Sequence, residues 1–147
     1  MSLWDRAGGA YAAPGAEAAC LRLQDQFGQS VSYLLWAAWA AAEGRPVDGP
    51  LVARAAAYAS QYEAQVLRPL RAARRTADGE QRTALKAREL AAERRLLETL
   101  EAMTPAPAGA PLGLADALGR AAAVWPTPAP WEDMDLLMRI FAEPGSC

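Results

Sequence analysis

Four arginines in the middle of the chain form its densest group of side chains able to bind a ligand. They are Arg68, Arg71, Arg74 and Arg75. If this segment is helical, spacings of three and four residues place all four guanidinium groups in one sector of the helix. Such a surface could bind a protein partner, or an anion or nucleic acid, or it could form ion pairs inside the chain with Glu89, Glu93 or the acidic tail.

Three features favour carboxylates over nucleic acid as the partners of these arginines. The segment lacks interleaved aromatic residues on which bases would stack, and the next predicted helix is rich in glutamate. The net charge of the whole chain is −2, whereas general binding of polyanions requires many phosphates to be neutralised. We therefore expect the arginines to meet carboxylates of the chain itself or of a protein partner.

A second candidate binding segment lies near the C-terminus. Trp131, Met134, Met138 and Phe141 recur at helical spacing, and acidic residues lie near the predicted helix start, where negative charge is favoured. An amphipathic helix of this kind packs on its own bundle, or docks in a groove of another protein or of a second copy of the chain. Its acidic charge makes it a poor ligand for membranes.

A third candidate site combines one carboxylate with aromatic side chains. Asp25 ends a predicted helix, where the helix dipole disfavours negative charge, so we expect a specific partner such as an arginine of segment 68–75. Two central predicted helices carry four aromatic residues, Trp36, Trp39, Tyr58 and Tyr62. They could line an apolar pocket for a small molecule, with Asp25 and Arg71 at its entrance, or form ordinary core.

The sequence lacks most catalytic machinery. It contains no histidine, which removes the commonest general base and metal ligand, and it has no glycine-rich phosphate loop or GxSxG motif. Glu89 and Glu93, one helical turn apart, could share a cation with Glu63 or Asp25, but ion pairs with the nearby arginines are the favoured interpretation. We expect no metal and no cofactor, and the sequence favours a non-enzymatic protein.

Hydrophobic periodicity and capping residues predict an all-α bundle of five main helices, with one or two shorter C-terminal helices. The predicted helices cover residues 3–12, 14–27, 31–43, 50–75, 79–103 and 114–124, followed by the amphipathic tail helix. Capping arrangements are predicted at Ser2 with Asp5 and at Asp78 with Gln81, and Pro69 predicts a kink.

The same pattern divides the chain into three parts. Residues 1–103 are predicted to form the bundle core, 104–113 a linker of proline, alanine and glycine, and 114–147 the short helix with the acidic tail. The longest apolar run, 31–42, is about a dozen residues, whereas a membrane span needs roughly twenty. With two cysteines and no secretion signal at the N-terminus, we expect a cytoplasmic protein without a membrane span.

Three stretches resemble a family of small, uncharacterised all-helical proteobacterial proteins, catalogued as a conserved domain of unknown function. The stretches are Leu3-Trp4 with Tyr11 and Pro14; Cys20-Leu21 through Leu23-Gln24-Asp25, Gly28, Val31, Leu34-Leu35 and Trp39; and Val66 to Arg71 with Arg74-Arg75, Glu89-Leu90 and Glu93. The resemblance covers roughly residues 2–103. It implies an all-helical fold, and no settled activity or cofactor.

Two functions are compatible with these observations. The first is a non-enzymatic interaction or adaptor protein that contacts a protein partner through the arginine-rich helix and the amphipathic C-terminal helix. The alternative is a small-molecule-binding helical domain with an apolar pocket between the third and fourth helices.

Overall fold

The chain folds as a bundle of helices. The computed structural model describes residues 1–11, 14–111, 113–127, 132, 134–136 and 139, and these residues include no strand. The described residues form α1 (Leu3–Tyr11), α2 (Ala16–Asp25), α3 (Val31–Ala42), α4 (Gly49–Tyr62), a π-helical turn (Glu63–Leu67), α5 (Arg68–Thr76), α6 (Gly79–Ala102) and α7 (Leu114–Val124). The predicted all-α fold is confirmed.

Helix α3 is the centre of the bundle. It contains no charged residue, and every residue from 31 to 41 is buried. The side chain of Ser30 caps its start by accepting a hydrogen bond from the Tyr33 N–H at 3.3 Å. Helices α1, α2, α4, α6 and α7 all pack against it. An uncharged helix of this kind is stable only when it is covered on all sides, which explains its central place.

The helix that contains Pro69 widens into the π-helical turn just before the proline. The Arg68 N–H donates to the Glu63 carbonyl, five residues back. This wider turn accommodates a proline that lacks an N–H and would otherwise crowd the preceding turn. As a result, Glu63, Leu67 and Arg71 all lie buried on the inward side.

Of the two predicted capping arrangements, one is confirmed and one is wrong. Ser2 Oγ accepts from the Asp5 N–H at 3.1 Å and donates to the Asp5 carboxylate at 2.7 Å. The side chain of Asp78 makes no capping hydrogen bond to α6. The next residue, Gly79, has a φ of +57°, so the chain enters α6 through a left-handed residue that a regular capping box does not contain.

The proline-rich segment 104–111 is attached to the end of α3. Trp36 Nε1 donates to Thr104 Oγ1 at 2.7 Å, and the Ala108 N–H donates to the Gly44 carbonyl at 3.1 Å. Gly44 has a φ of +66°, and the backbone of Gly109 passes directly over its Cα. The segment therefore contacts the bundle along its length.

Helix α7 packs against α3 and α4. Tyr33 Oη donates to the Ala121 carbonyl at 2.8 Å, and Trp125 Nε1 donates to the Gly28 carbonyl at 2.9 Å. The rings of Tyr33 and Trp125 stack with centroids 5.0 Å apart. Beyond α7, Met134 is 1% exposed and belongs to the same hydrophobic core.

Within the described part of the chain, none of the helices has the length and apolar character that a membrane crossing requires.

Candidate functional site

Arg71 lies at the centre of a buried cluster of charged side chains. Its guanidinium donates to Glu63 Oε2 at 2.7 Å and lies 3.4 Å from Glu93 Oε1 and 3.5 Å from Glu89 Oε1. The side-chain amide of Gln24 contacts the same guanidinium. Its oxygen faces Arg71, because the guanidinium N–H groups need an acceptor and the amide nitrogen is itself a donor. Arg71 thus holds α2, α5 and α6 together, since α5 carries it and α2 and α6 supply its partners.

The other three arginines differ in their partners. Arg74 Nε donates to Glu89 Oε2 at 2.6 Å, and Arg75 donates to Asp25 Oδ1 at 2.6 Å. The predicted arginine partner of Asp25 is therefore confirmed as Arg75. Arg68 is exposed and has no ion-pair partner among the residues that the structure describes. Of the alternatives for this arginine surface, the internal network is the one that forms for Arg71, Arg74 and Arg75.

Burial and the neighbouring carboxylates both disfavour the charged form of Glu93. Burial raises the pKa of its carboxyl above the usual value, Arg71 opposes that rise, and Glu89 and Glu63 add to it. For Arg71, burial acts to lower the pKa, but Glu63, Glu93 and Glu89 raise it by more. Burial, followed by the charge of Glu93, also raises the pKa of the neighbouring Cys20 thiol to about 12.

The raised pKa of Glu93 predicts a pH-dependent effect on stability. A carboxyl that is easier to protonate in the folded chain stabilises it below the unfolded pKa of about 4.5, and that contribution is lost as the pH rises through the folded pKa. Relative to Glu93→Gln, the natural chain should therefore lose free energy of unfolding as the pH is raised from about 4 to 7. Urea denaturation followed by tryptophan fluorescence measures this difference.

Glu98→Gln is the matched control, because Glu98 lies on the same helix and is about half exposed. It should not reproduce the trend. A difference between the natural chain and Glu93→Gln that stays constant with pH, or grows in the opposite direction, would contradict the assignment.

A cavity of about 190 Å³ opens beside this cluster, between the C-terminal end of α2 and helix α5. We call it the α2–α5 cavity. Its walls include Asp25, Gln29, Glu63, Arg68, Arg71 and Arg75. The ion pair between Arg75 and Asp25 crosses from α5 to α2, so the cavity has charged groups on both sides.

Two buried acceptor atoms beside the α2–α5 cavity have no hydrogen-bond donor. Glu63 is 4% exposed and Gln29 is 2% exposed, yet Glu63 Oε1 and Gln29 Oε1 are both unpartnered. The Gln29 amide nitrogen is satisfied, because it donates to the Thr127 carbonyl at 2.7 Å. Leaving a buried polar atom unpaired costs about 1–3 kcal/mol. Both residues are among those that line the cavity, but the two oxygen atoms themselves are buried.

The structure does not bring the five predicted pocket residues together. Asp25 lines the α2–α5 cavity, whereas Trp36 lines a separate cavity of about 140 Å³ between α3, α4 and α7. Trp39 is buried, donates from Nε1 to the Met1 carbonyl at 3.0 Å, and stacks under Arg45. Tyr58 and Tyr62 stack on each other with ring centroids 6.0 Å apart, away from both cavities.

The predicted partner-binding residues are also placed differently. Arg68 and Arg75 are exposed, Arg74 is half-buried, and Arg71 and Met134 are buried. Trp131, Met138 and Phe141 lie outside the described residues. Binding of a protein partner through these segments stays a prediction.

No group of three acidic or cysteine side chains among the described residues is arranged to hold a metal ion. Glu63, Glu89 and Glu93 do converge, but they converge on the Arg71 guanidinium. The positive charge that a cation would supply there is supplied by arginine.

Sequence reasoning missed Gln29 as a site residue. Gln29 lies in the loop between α2 and α3, and a single glutamine in a loop has no periodic signal that would predict burial. Glu63 and Arg71 are eight residues apart, whereas neighbouring side chains on a helix are three or four apart, so helical spacing did not indicate their pairing.

Comparison with known proteins gives one match. The model of the family described as "Protein of unknown function (DUF2390)" matches residues 2–100. No curated protein and no solved structure matches the chain. The family match confirms the predicted resemblance over nearly the same residues. Since it covers well over half of the sequence, the chain belongs to the DUF2390 family of proteins of unknown function.

Proposed function

We propose that this chain is a non-enzymatic small-molecule-binding protein whose ligand occupies the α2–α5 cavity. The observation that carries the proposal is the cavity itself, about 190 Å³ in volume, with the exposed Arg68 on its wall. Of the three arginines that line it, Arg71 pairs with Glu63 and Arg75 with Asp25, whereas Arg68 has no ion-pair partner in the described part of the chain. A small molecule with an anionic group would supply that partner.

The charges of the site support a ligand over a large acidic partner. Arg71, Arg74 and Arg75 each already pair with a carboxylate of the chain. Ion pairing within the chain reduces the positive surface that an acidic protein would meet, whereas the cavity itself stays open. Ordered water is the other possible occupant of the cavity, and the experiment below separates the two.

Native mass spectrometry tests the proposal. The purified chain is incubated with a protein-free extract of small molecules, and retained mass is compared between the natural chain and two variants. Ala72→Phe places a ring in the cavity wall, because Ala72 lines the cavity and is exposed. Ala73→Phe is the matched control, since Ala73 is also exposed on α5 but does not line the cavity.

We expect a discrete small mass on the natural chain and on Ala73→Phe, with at least a tenfold lower occupancy on Ala72→Phe. Circular dichroism should show that all three proteins are equally folded. If the natural chain retains no small molecule, or if Ala72→Phe retains the same one, the proposed function is wrong and water fills the cavity.

A further inference from the structure

We propose that a second cavity, between α3, α4 and α7, binds a small carboxylic acid whose apolar body is about the size of one aromatic ring. We call it the α3–α7 cavity, and its volume is about 140 Å³. Because this site is separate from the α2–α5 cavity, the inference does not depend on the proposed function. It depends on three observations: the size of the cavity, the apolar character of its surface, and the charges of its lining residues.

The α3–α7 cavity has room for a single ring. An apolar cavity of about 150 Å³ engineered into another protein stays free of water and binds benzene. The α3–α7 cavity, at about 140 Å³, has a similar volume and is partly open to solvent. A ring therefore fits inside, and a substituent on that ring can reach the solvent-facing side.

Most of the accessible surface inside the α3–α7 cavity is apolar. Helix α3 contributes Trp36 and Ala37 to its walls, α4 contributes Val52, and α7 contributes Ala117, while Val47 lines it from the loop between α3 and α4. Binding sites for small molecules are typically lined in this way, with a few polar groups that fix the orientation of the ligand. The walls therefore favour an apolar body over a polar one.

The charged lining residues favour an anion. They are two arginines, Arg45 and Arg120, and one carboxylate, Asp116. Arg45 donates to the Pro105 carbonyl at 3.3 Å and lies over the Trp39 ring, so its charge is held in place but is not neutralised. Asp116 and Arg120 are four residues apart, yet no ion pair joins them. Two arginines against one carboxylate leave an excess of positive charge at this cavity.

Arg120 is the residue that we assign to the carboxylate of the ligand. It is exposed and has no ion-pair partner in the part of the chain that the structure describes. A guanidinium group matches the planar geometry of a carboxylate and binds it through two parallel hydrogen bonds. Ala117 and Arg120 are neighbours on one face of α7, so an anion at Arg120 lies beside the apolar wall. A short link between ring and acid group satisfies both.

Binding of matched probes tests this chemical class. The anionic probes are benzoate, phenylacetate and phenylpropanoate, which place the carboxylate at increasing distance from the ring. Benzamide and benzylamine are their neutral and cationic counterparts, and acetate lacks the ring. Dissociation constants are measured by isothermal titration calorimetry on the full chain. At least one aromatic carboxylate should bind about tenfold or more tightly than benzamide, benzylamine and acetate, since a hydrogen-bonded charge and an apolar body act together.

A cavity-filling variant locates the bound probe. Ala117→Phe places a ring in the cavity wall and should weaken the best probe at least tenfold, because Ala117 lines the cavity and is partly exposed. Ala123→Phe is the matched control, since Ala123 is exposed on the same helix but does not line the cavity. It should bind the probe like the natural chain.

Charge variants assign the anionic end and do not disturb the core. Arg120→Gln should weaken the best probe about tenfold. Arg54→Gln, at an exposed arginine of α4 that does not line the cavity, should have no effect. Asp116→Asn should bind the probe more tightly, because it removes a carboxylate that repels the anion, and damage to the fold would not produce such a gain. Circular dichroism checks that all variants are folded.

The outcomes separate this site from the α2–α5 cavity. The assignment is wrong if no aromatic carboxylate binds at millimolar concentration, if benzamide binds as tightly as the best of them, or if Arg120→Gln and Arg54→Gln bind alike. It is also wrong if Ala72→Phe abolishes binding of the probe and Ala117→Phe does not, because the probe then occupies the α2–α5 cavity. Retention of a molecule from the extract that depends on Ala72 is a separate result and decides the proposed function alone.

Discussion

Replacing Arg71 by methionine is expected to lower the free energy of unfolding at neutral pH by about 3–5 kcal/mol, because removing one partner leaves buried opposite charges uncompensated. Methionine fills a similar volume, so the loss is mainly electrostatic. Three carboxylates, Glu63, Glu89 and Glu93, would then lose the guanidinium that they share, while Arg74 stays paired with Glu89. For a chain of this size the loss is a large part of a typical total stability of about 5–15 kcal/mol.

The Arg71→Met variant should recover part of this loss in acid. Arg71 opposes the rise in the pKa of Glu93 that burial causes, so without the guanidinium that pKa rises further above the unfolded value and the folded chain binds a proton more readily than the unfolded chain. The stability of the variant relative to the natural chain should therefore increase as the pH falls from about 7 toward 4. Urea denaturation across this pH range measures it.

Arg68→Met is the matched control for Arg71→Met. Arg68 lies on the same helix but is exposed and unpaired, so its replacement should change the free energy of unfolding by no more than about 0.5 kcal/mol. Equal effects of the two substitutions, or a loss in Arg71→Met that does not diminish in acid, would show that the buried cluster does not stabilise the bundle through charge.

Helix α3 and the arginine pairs show what the sequence could predict. An uncharged run rich in large apolar residues has to be covered on all sides, and residues 31–41 are all buried. Charge alone predicts that Asp25 needs a cation and that an arginine of segment 68–75 supplies it. The ion pair between Asp25 and Arg75 confirms this prediction. Local pattern and charge complementarity are properties of the residues themselves, so they can be inferred before the fold is known.

The cavities depend on information that the sequence alone does not contain. Whether Trp36 lines a cavity or is enclosed depends on where α7 lies relative to α3 and α4. The inward position of Glu63 depends on the π-helical turn, which changes the helical phase by a residue and which periodicity did not predict. Small rotations between helices decide these contacts, so the aromatic residues could be assigned to the bundle interior but not to a common pocket.

Gly44→Ala is expected to lower the free energy of unfolding by about 3–5 kcal/mol, since two separate costs add. A left-handed residue that gains a Cβ costs about 1–2 kcal/mol. In addition, the new Cβ would overlap the Gly109 carbonyl oxygen, far inside the van der Waals distance. The 104–111 segment would have to move away, and the hydrogen bond from Ala108 to Gly44 would be lost.

Gly79→Ala measures the backbone strain of a left-handed residue by itself. Comparing it with Gly44→Ala therefore separates this strain from the cost of displacing the 104–111 segment. Gly79 has nearly the same φ, +57° against +66°, but nothing lies within 4 Å of the position its Cβ would take. It should therefore lose only the 1–2 kcal/mol of backbone strain. The excess loss in Gly44→Ala, measured by urea denaturation, reports how firmly the segment is held against α3. Equal losses in the two variants would mean that the segment moves aside at little cost. It would then behave as the linker that its proline-rich composition predicts, in spite of its contacts with the bundle.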